Sequence, residues 1–157
     1  MTPMQRRTLL IAIGAVFLMA SCSDHQGGEL SKQAVDRAVG GALLQHFERA
    51  CPGFELIKIA RGDVNGDGRE DLLVMYRVSE EKNMMRVILD LDEGFLATNE
   101  VPAPIEDQII QFKDIDKKPP MEFIVQGSKG NKTGFAVFRI ENNQLVDLFG
   151  EGMEDCC

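Results

Sequence analysis

Nine residues, Asp63 to Asp71 (D-V-N-G-D-G-R-E-D), constrain this chain more than any other stretch. Asp63, Asn65, Asp67 and Asp71 stand at positions 1, 3, 5 and 9, with Gly66 and Gly68 between them. Short side chains on alternate residues of a tight loop turn inward together, and a hard cation such as Ca²⁺ takes about six to eight oxygens from a flexible cage of this kind. Gly68 permits the bend that brings the backbone carbonyl of Arg69 into the same shell. The spacing therefore predicts a structural Ca²⁺ held by Asp63, Asn65, Asp67, Asp71 and the Arg69 carbonyl. The competing reading is an acidic turn that holds no metal.

The flanks decide what kind of loop this is. Helices on both sides and an acid at position 12 would make it an EF-hand. Position 12 here is Val74, and both flanks read as strands, L-I-K-I-A before and D-L-L-V-M-Y after. The run resembles the calcium loop of FG-GAP and VCBS-type repeats, the propeller-blade hairpins of integrins and of many secreted bacterial proteins. That resemblance covers the loop and its flanks, implies Ca²⁺ between two antiparallel strands, and implies nothing about catalysis.

A second stretch echoes the first. D-I-D-K-K-P-P-M-E-F-I-V (114–125) aligns with residues 63–74 at an offset of 51, pairing Asp63 with Asp114, Asn65 with Asp116 and Asp71 with Glu122. Lys118 falls where Asp67 stands, and an ammonium in the cage would repel Ca²⁺, so the second loop is expected to keep its shape without an ion. Period-two patterning places strands at 54–61, 71–78, 84–91, 107–113, 121–126, 134–141 and 144–149, with Val101-Pro-Ala-Pro104 as an extended connector. Two blade-like units, about 54–100 and 105–150, do not close a propeller.

Ahead of the strands, apolar residues at three- and four-residue spacing from Ser31 to Ala50 predict an amphipathic helix, stopped by Cys51-Pro52-Gly53. The expectation is one α+β domain over 30–150: this helix covering the apolar face of a curved antiparallel sheet made of the two units. His46 reads as a surface or boundary residue, and adjacent Met84 and Met85 alternate faces in a strand, so one of them is core. G-S-K-G-N-K-T-G (127–134) is a hairpin turn rather than a phosphate loop, because a strand follows it.

The N-terminus reads as an export signal. Arg6 and Arg7 precede an apolar run from Leu9 to Ala20, too short to span a bilayer, which ends in M-A-S-C. This resembles a bacterial lipobox, with Met19 where Leu is usual, and implies a signal peptide over 1–21, lipidation of Cys22 and a tether over 22–29. Ser23 favours an outer membrane where one exists, and an ordinary cleaved signal is the alternative. The general export route suits the segment better than the twin-arginine route. Without Arg6 and Arg7 the chain carries 15 basic against 25 acidic residues, which excludes a nucleic-acid footprint and suits an extracytoplasmic protein in the cell envelope.

With Cys22 assigned to lipid, Cys51, Cys156 and Cys157 remain, an odd number in an oxidising compartment. Adjacent thiols at 156 and 157, expected on a flexible tail from 151 to 157, suit soft ions such as Cu(I), Zn²⁺ or Hg²⁺, and Met153 can add a ligand. Acidic neighbours Glu154 and Asp155 are expected to raise the thiol pKa values. Cys51 can bridge to one of the pair, or resolve what the pair picks up.

Lipobox, size, acidic loop and the Cys-Cys end together resemble the Cys-Cys-COOH (seleno)protein family of small bacterial lipoproteins. The resemblance implies that Cys156 and Cys157 are the reactive pair, and that a transporter or a thioredoxin-like protein is the partner. Three functions are compatible with it: a lipid-anchored binding protein passing a soft metal, or a thiol or selenium species, to a transporter; a dithiol/disulfide partner of a thioredoxin-like protein; or an adhesion module. No catalytic triad or cofactor fingerprint is present, and the chain has only two histidines, so no enzyme is expected.

Overall fold

The computed structural model describes residues 41–157. The expected signal peptide, Cys22, the tether and the first half of the expected helix lie outside the described residues. Helix α1 (41–50) is followed by β1 (Glu55–Gly62), β2 (Asp71–Ser79), β3 (Lys82–Leu91), β4 (Gly94–Ala97), β5 (Val101–Ala103), β6 (Glu106–Phe112), β7 (Phe123–Lys129), β8 (Lys132–Glu141), β9 (Gln144–Glu151) and a short α2 (Met153–Cys156). None of the described helices is long and apolar enough to cross a membrane.

The strands make two antiparallel sheets, not one continuous curved sheet. The first runs β1-β2-β3-β4 with β5 also on β3; the second runs β6-β7-β8-β9. Their separation follows from D-L-L-V-M-Y in β2, which does not alternate apolar with polar: every residue from Asp71 to Tyr76 is buried. A strand apolar on both faces needs cover on both. Leu73, Met75, Met85, Val87 and Leu89 face the second sheet and pack with its Phe123, Val125, Ala136, Phe138 and Ile140. Leu72, Val74, Tyr76, Met84 and Ile88 face the other way, against Leu43 and Phe47 of α1 and Cys51. Met84 and Met85 thus serve opposite faces of β3, and both are core.

The expected repeat is visible in the ladders. Leu72 pairs Ile88 in the first sheet, and Phe123, 51 residues after Leu72, pairs Phe138 in the second. The face that the second sheet turns to the first is therefore the equivalent of the face that α1 covers, so the units stack front to back. Proline lacks the N–H needed to extend a ladder, so Pro102 and Pro104 help end the first sheet before β6 starts the second. Residues 127–134 form the β7–β8 hairpin. The short strands β4 and β5 escaped the sequence pattern.

The segment expected to be a flexible tail is folded against the second sheet. Gly127 and Gly134 pair across β7 and β8, on the face where the first sheet carries Tyr76 opposite Met84. Two missing side chains leave a trough. Into it fit Pro104 and the 152–156 turn: a Cβ on Gly134 would lie 2.5 Å from the Gly152 carbonyl oxygen and 2.9 Å from the Cys156 sulfur. Gly152, at φ 67°, turns the chain from β9 into α2 in a conformation that glycine adopts without strain. The Cys156 carbonyl accepts a hydrogen bond from Ile105 N–H at 3.0 Å, and Lys132 pairs with Asp155 at 2.5 Å. Cys156 is fully buried as a result.

Gly134→Ala should displace this turn, because the clash is with backbone and cannot be relieved by a rotamer. We expect a loss of about 1–3 kcal/mol, typical of overpacking, together with faster alkylation of Cys156 in native buffer. Unchanged alkylation of Cys156 would show that the trough does not hold the turn.

Candidate functional site: two acidic loops and a thiol pair

The two acidic loops share a backbone scaffold. In the first, Asp71 is 1 % exposed and accepts from Val64 N–H at 3.0 Å; in the second, Glu122 is also 1 % exposed and accepts from Ile115 N–H at 2.9 Å. Val64 and Ile115 are 51 residues apart, as are the next matched pairs. Asn65 accepts from Asp67 N–H at 3.0 Å, and Asp116 accepts from Lys118 N–H at 2.9 Å. Gly66 and Lys117 both have positive φ, 80° and 60°. The repeat read in the sequence is thus a repeat of hydrogen bonds.

What fills each loop differs. Asp114, Asp116 and Glu122 bring carboxylate oxygens within 4.8 Å of one another, close enough to share a cation. Arg139 from β8 already serves as that cation, bonding Asp116 at 2.5 Å and also Glu122. The guanidinium, rather than the expected repulsion from Lys118, is what the second loop offers in place of an ion: Lys118 is exposed. Arg139 holds the Asp116 carboxyl below its ordinary range, mainly through that hydrogen bond.

In the first sheet the ladder pairs Leu72 with Ile88, so Leu89 takes the position of Arg139 and no guanidinium reaches Asp71 from β3. Burial pushes the Asp71 carboxyl up to about 6; hydrogen bonds from Asp90 and Val64 N–H oppose the rise, while the charges of Asp67 and Asp63 add to it. Asp63 accepts from Gly66 N–H at 2.7 Å and from Gly68 N–H at 2.9 Å. Desolvation works against the charge on Asp67, but bonds from Arg69 N–H, the Asn65 amide and the Arg69 side chain hold its carboxyl below the ordinary range. The Arg69 guanidinium ties the loop to the β3–β4 turn through the Asp90 carbonyl at 2.8 Å and the Asp92 carboxylate.

Asp63, Asn65 and Asp67 stand on alternate residues of the loop, the arrangement that a hard cation takes, and their oxygens here accept the loop's own N–H groups and the Arg69 guanidinium. Asp71, like Asp63, has both carboxylate oxygens engaged by backbone donors. Its donors, the Val64 and Asp90 N–H groups at 3.0 Å, make it the clamp that closes the loop. Asp63, Asp67 and Asp71 do not converge as closely as the carboxylates of the second loop.

The thiols lie elsewhere. Cys156 and Cys157 sulfurs are 3.5 Å apart, and the Met153 thioether sulfur is 3.8 Å from that of Cys156. Beside them a cleft of about 380 Å³ runs between β5, the β8–β9 hairpin and α2. Val101, Pro102, Phe138 and Met153 give it apolar walls, Asp147 and Glu154 line it with carboxylates, and Cys157 opens onto it. Burial pushes the Cys157 thiol up to about 12; the neighbouring Cys156 adds to the rise and Lys129 opposes it. The cause expected from sequence, repulsion by Glu154 and Asp155, is not among those that act.

No family model matches the chain, and neither a curated protein nor a solved structure resembles it significantly. Its chemistry is therefore read from its own geometry. Cys51, considered as a bridging or resolving thiol, is free and packs with α1 and the α1-facing side of the first sheet. Cys156 packs against the second sheet, so the structure does not bring Cys51 to the pair. His46 stacks edge-on with Phe95 at 5.8 Å, a boundary contact.

Arg139→Met should leave Glu122 as an uncompensated buried charge, costing about 3–5 kcal/mol in urea unfolding. Adding Glu122→Gln to the same chain should recover much of that loss. A single variant within about 0.5 kcal/mol of wild type would remove Arg139 from the role of internal cation.

Proposed function

We propose that this protein is a lipid-anchored binding protein of the cell envelope that captures a soft, thiophilic metal ion at Cys156 and Cys157 for a partner transporter, with Ca²⁺ as a structural ion in the 63–71 loop. One observation carries the reading: two free thiols 3.5 Å apart, of which Cys156 is buried and Cys157 opens onto a cleft between β5, the β8–β9 hairpin and α2. The thiolate is the ligand for soft ions, and a high-affinity ion displaces the thiol proton even where burial retains it. Anchoring at Cys22, membership of the Cys-Cys-COOH family and the FG-GAP-like character of the loop belong to the same proposal and rest on the sequence. The scaffold suits a carrier, because elements packed on a sheet hold ligand atoms more precisely than a frayed end does.

The test is native mass spectrometry of the reduced protein with Hg²⁺, Cu⁺ and Zn²⁺, beside Cys156→Ser/Cys157→Ser. One soft ion in the wild type and none in the variant supports capture. No ion in either, with a mass two units low after air exposure, turns the assignment to thiol–disulfide exchange with a thioredoxin-like partner.

The calcium assignment has a separate test. With a Kd of about 0.1 mM and free Ca²⁺ of about 1 mM, binding adds roughly 1.4 kcal/mol to stability. Chelation should remove that increment from the wild type and leave Asp63→Ala unaffected. Equal stability of the wild type with and without the chelator would sink it.

A further inference from the structure

Three sulfurs, not two, meet at the α2 turn. We infer that Met153, Cys156 and Cys157 form a three-coordinate site for Cu(I), with the Met153 thioether as the third ligand. This deepens the capture reading and rests on it.

Spacing and softness together select the ion. With metal–sulfur bonds of about 2.3 Å, two sulfurs on opposite sides of an ion stand about 4.6 Å apart, and three in a plane around it stand about 4.0 Å apart. The separations here are 3.5 Å between Cys156 and Cys157 and 3.8 Å between Cys156 and Met153. A linear site, the preference of two-coordinate soft ions, would require the thiols to move apart by about an ångström, whereas the two separations that Cys156 makes lie within about half an ångström of the trigonal value. The donor types decide the metal. Two thiolates and a thioether are the soft donors that Cu(I) takes, and three ligands leave the set one short of a closed tetrahedral Zn²⁺ site.

The fold supports the third ligand. Met153 is half-buried against the core between the sheets, with Phe138 sharing the cleft wall. Gly134 opposite admits Cys156, and Lys132 fixes the turn through Asp155. An ion would therefore meet a thiol and a thioether already beside the Cys156 sulfur. Binding Cu⁺ releases two thiol protons to water and leaves two thiolates and one neutral thioether on the metal, a net charge of −1. Lys129, whose charge favours the Cys157 thiolate, offsets that charge. The apolar walls beside the site limit access of water, which disfavours escape of the ion as a hydrate.

The experiment is an anaerobic Cu(I) titration of the reduced protein against a chromogenic Cu(I) chelator, followed by X-ray absorption at the copper edge. The wild type should bind one Cu(I) with three sulfurs at about 2.3 Å. Met153→Leu conserves volume, so the turn should keep its packing; the variant should lose one sulfur from the shell and about tenfold or more in affinity. Selenomethionine protein provides a test without substitution: a copper–selenium vector must appear. A two-sulfur shell with no selenium neighbour, in a protein that still loses copper on Cys156→Ser/Cys157→Ser, overturns the Met153 assignment and leaves capture standing. No copper bound by the wild type overturns the copper site, and capture falls with it only if Hg²⁺ and Zn²⁺ do not bind either.

Discussion

A buried carboxylate at the end of each acidic loop holds the rest in place. Asp71 and Glu122 begin or adjoin the central hairpin of their sheets and are almost completely desolvated. Each reaches back seven residues to a backbone N–H, that of Val64 or Ile115, so the loop closes on the strand it precedes. Buried acids are costly unless their lone pairs are used and their charge is met. The two loops meet that requirement differently: β8 supplies a guanidinium to Glu122, whereas Asp71 has backbone N–H donors and a crowd of neighbouring acids. The first loop has a guanidinium too, that of Arg69, but it bonds Asp67 and leaves Asp71 to its backbone donors.

Much of the fold was legible because strand periodicity is short-range and the turns carry glycine, proline and asparagine. The repeat at 51 was legible too, down to the paired acids. The two-sheet arrangement was encoded in L-L-V-M-Y, whose lack of alternation means burial on both faces, but a sequence does not say what covers the second face. Arg139 was out of reach for a different reason. It meets Glu122 from 17 residues away through the register of a hairpin, and a one-residue slip would turn it to the opposite face. Gly127 and Gly134 read as hairpin glycines, yet their use is as absent side chains under the 152–156 turn. The thiol pair could be named from sequence; its burial, its third sulfur and its cleft could not, since each depends on that docking.

The thiol site and the acidic loops are thus separate solutions on one scaffold. The loops close hairpins with hard oxygen chemistry, and the α2 turn gathers soft sulfur beside the seam of the sheets. Cys51, on the side of the first sheet that α1 covers, takes part in neither. On the proposed function, such segregation would keep hard and soft cations from competing for the same ligands.

Arg139 also has a bearing on how the halves respond to their surroundings. A guanidinium built into β8 cannot be diluted away, chelated or outcompeted. The second unit consequently holds its shape in whatever medium the chain meets. Under the calcium assignment proposed above, the first unit, with Leu89 in the corresponding place, is the half whose rigidity would follow the mineral content of the medium, while the sheet that seats the thiols would stay indifferent to it.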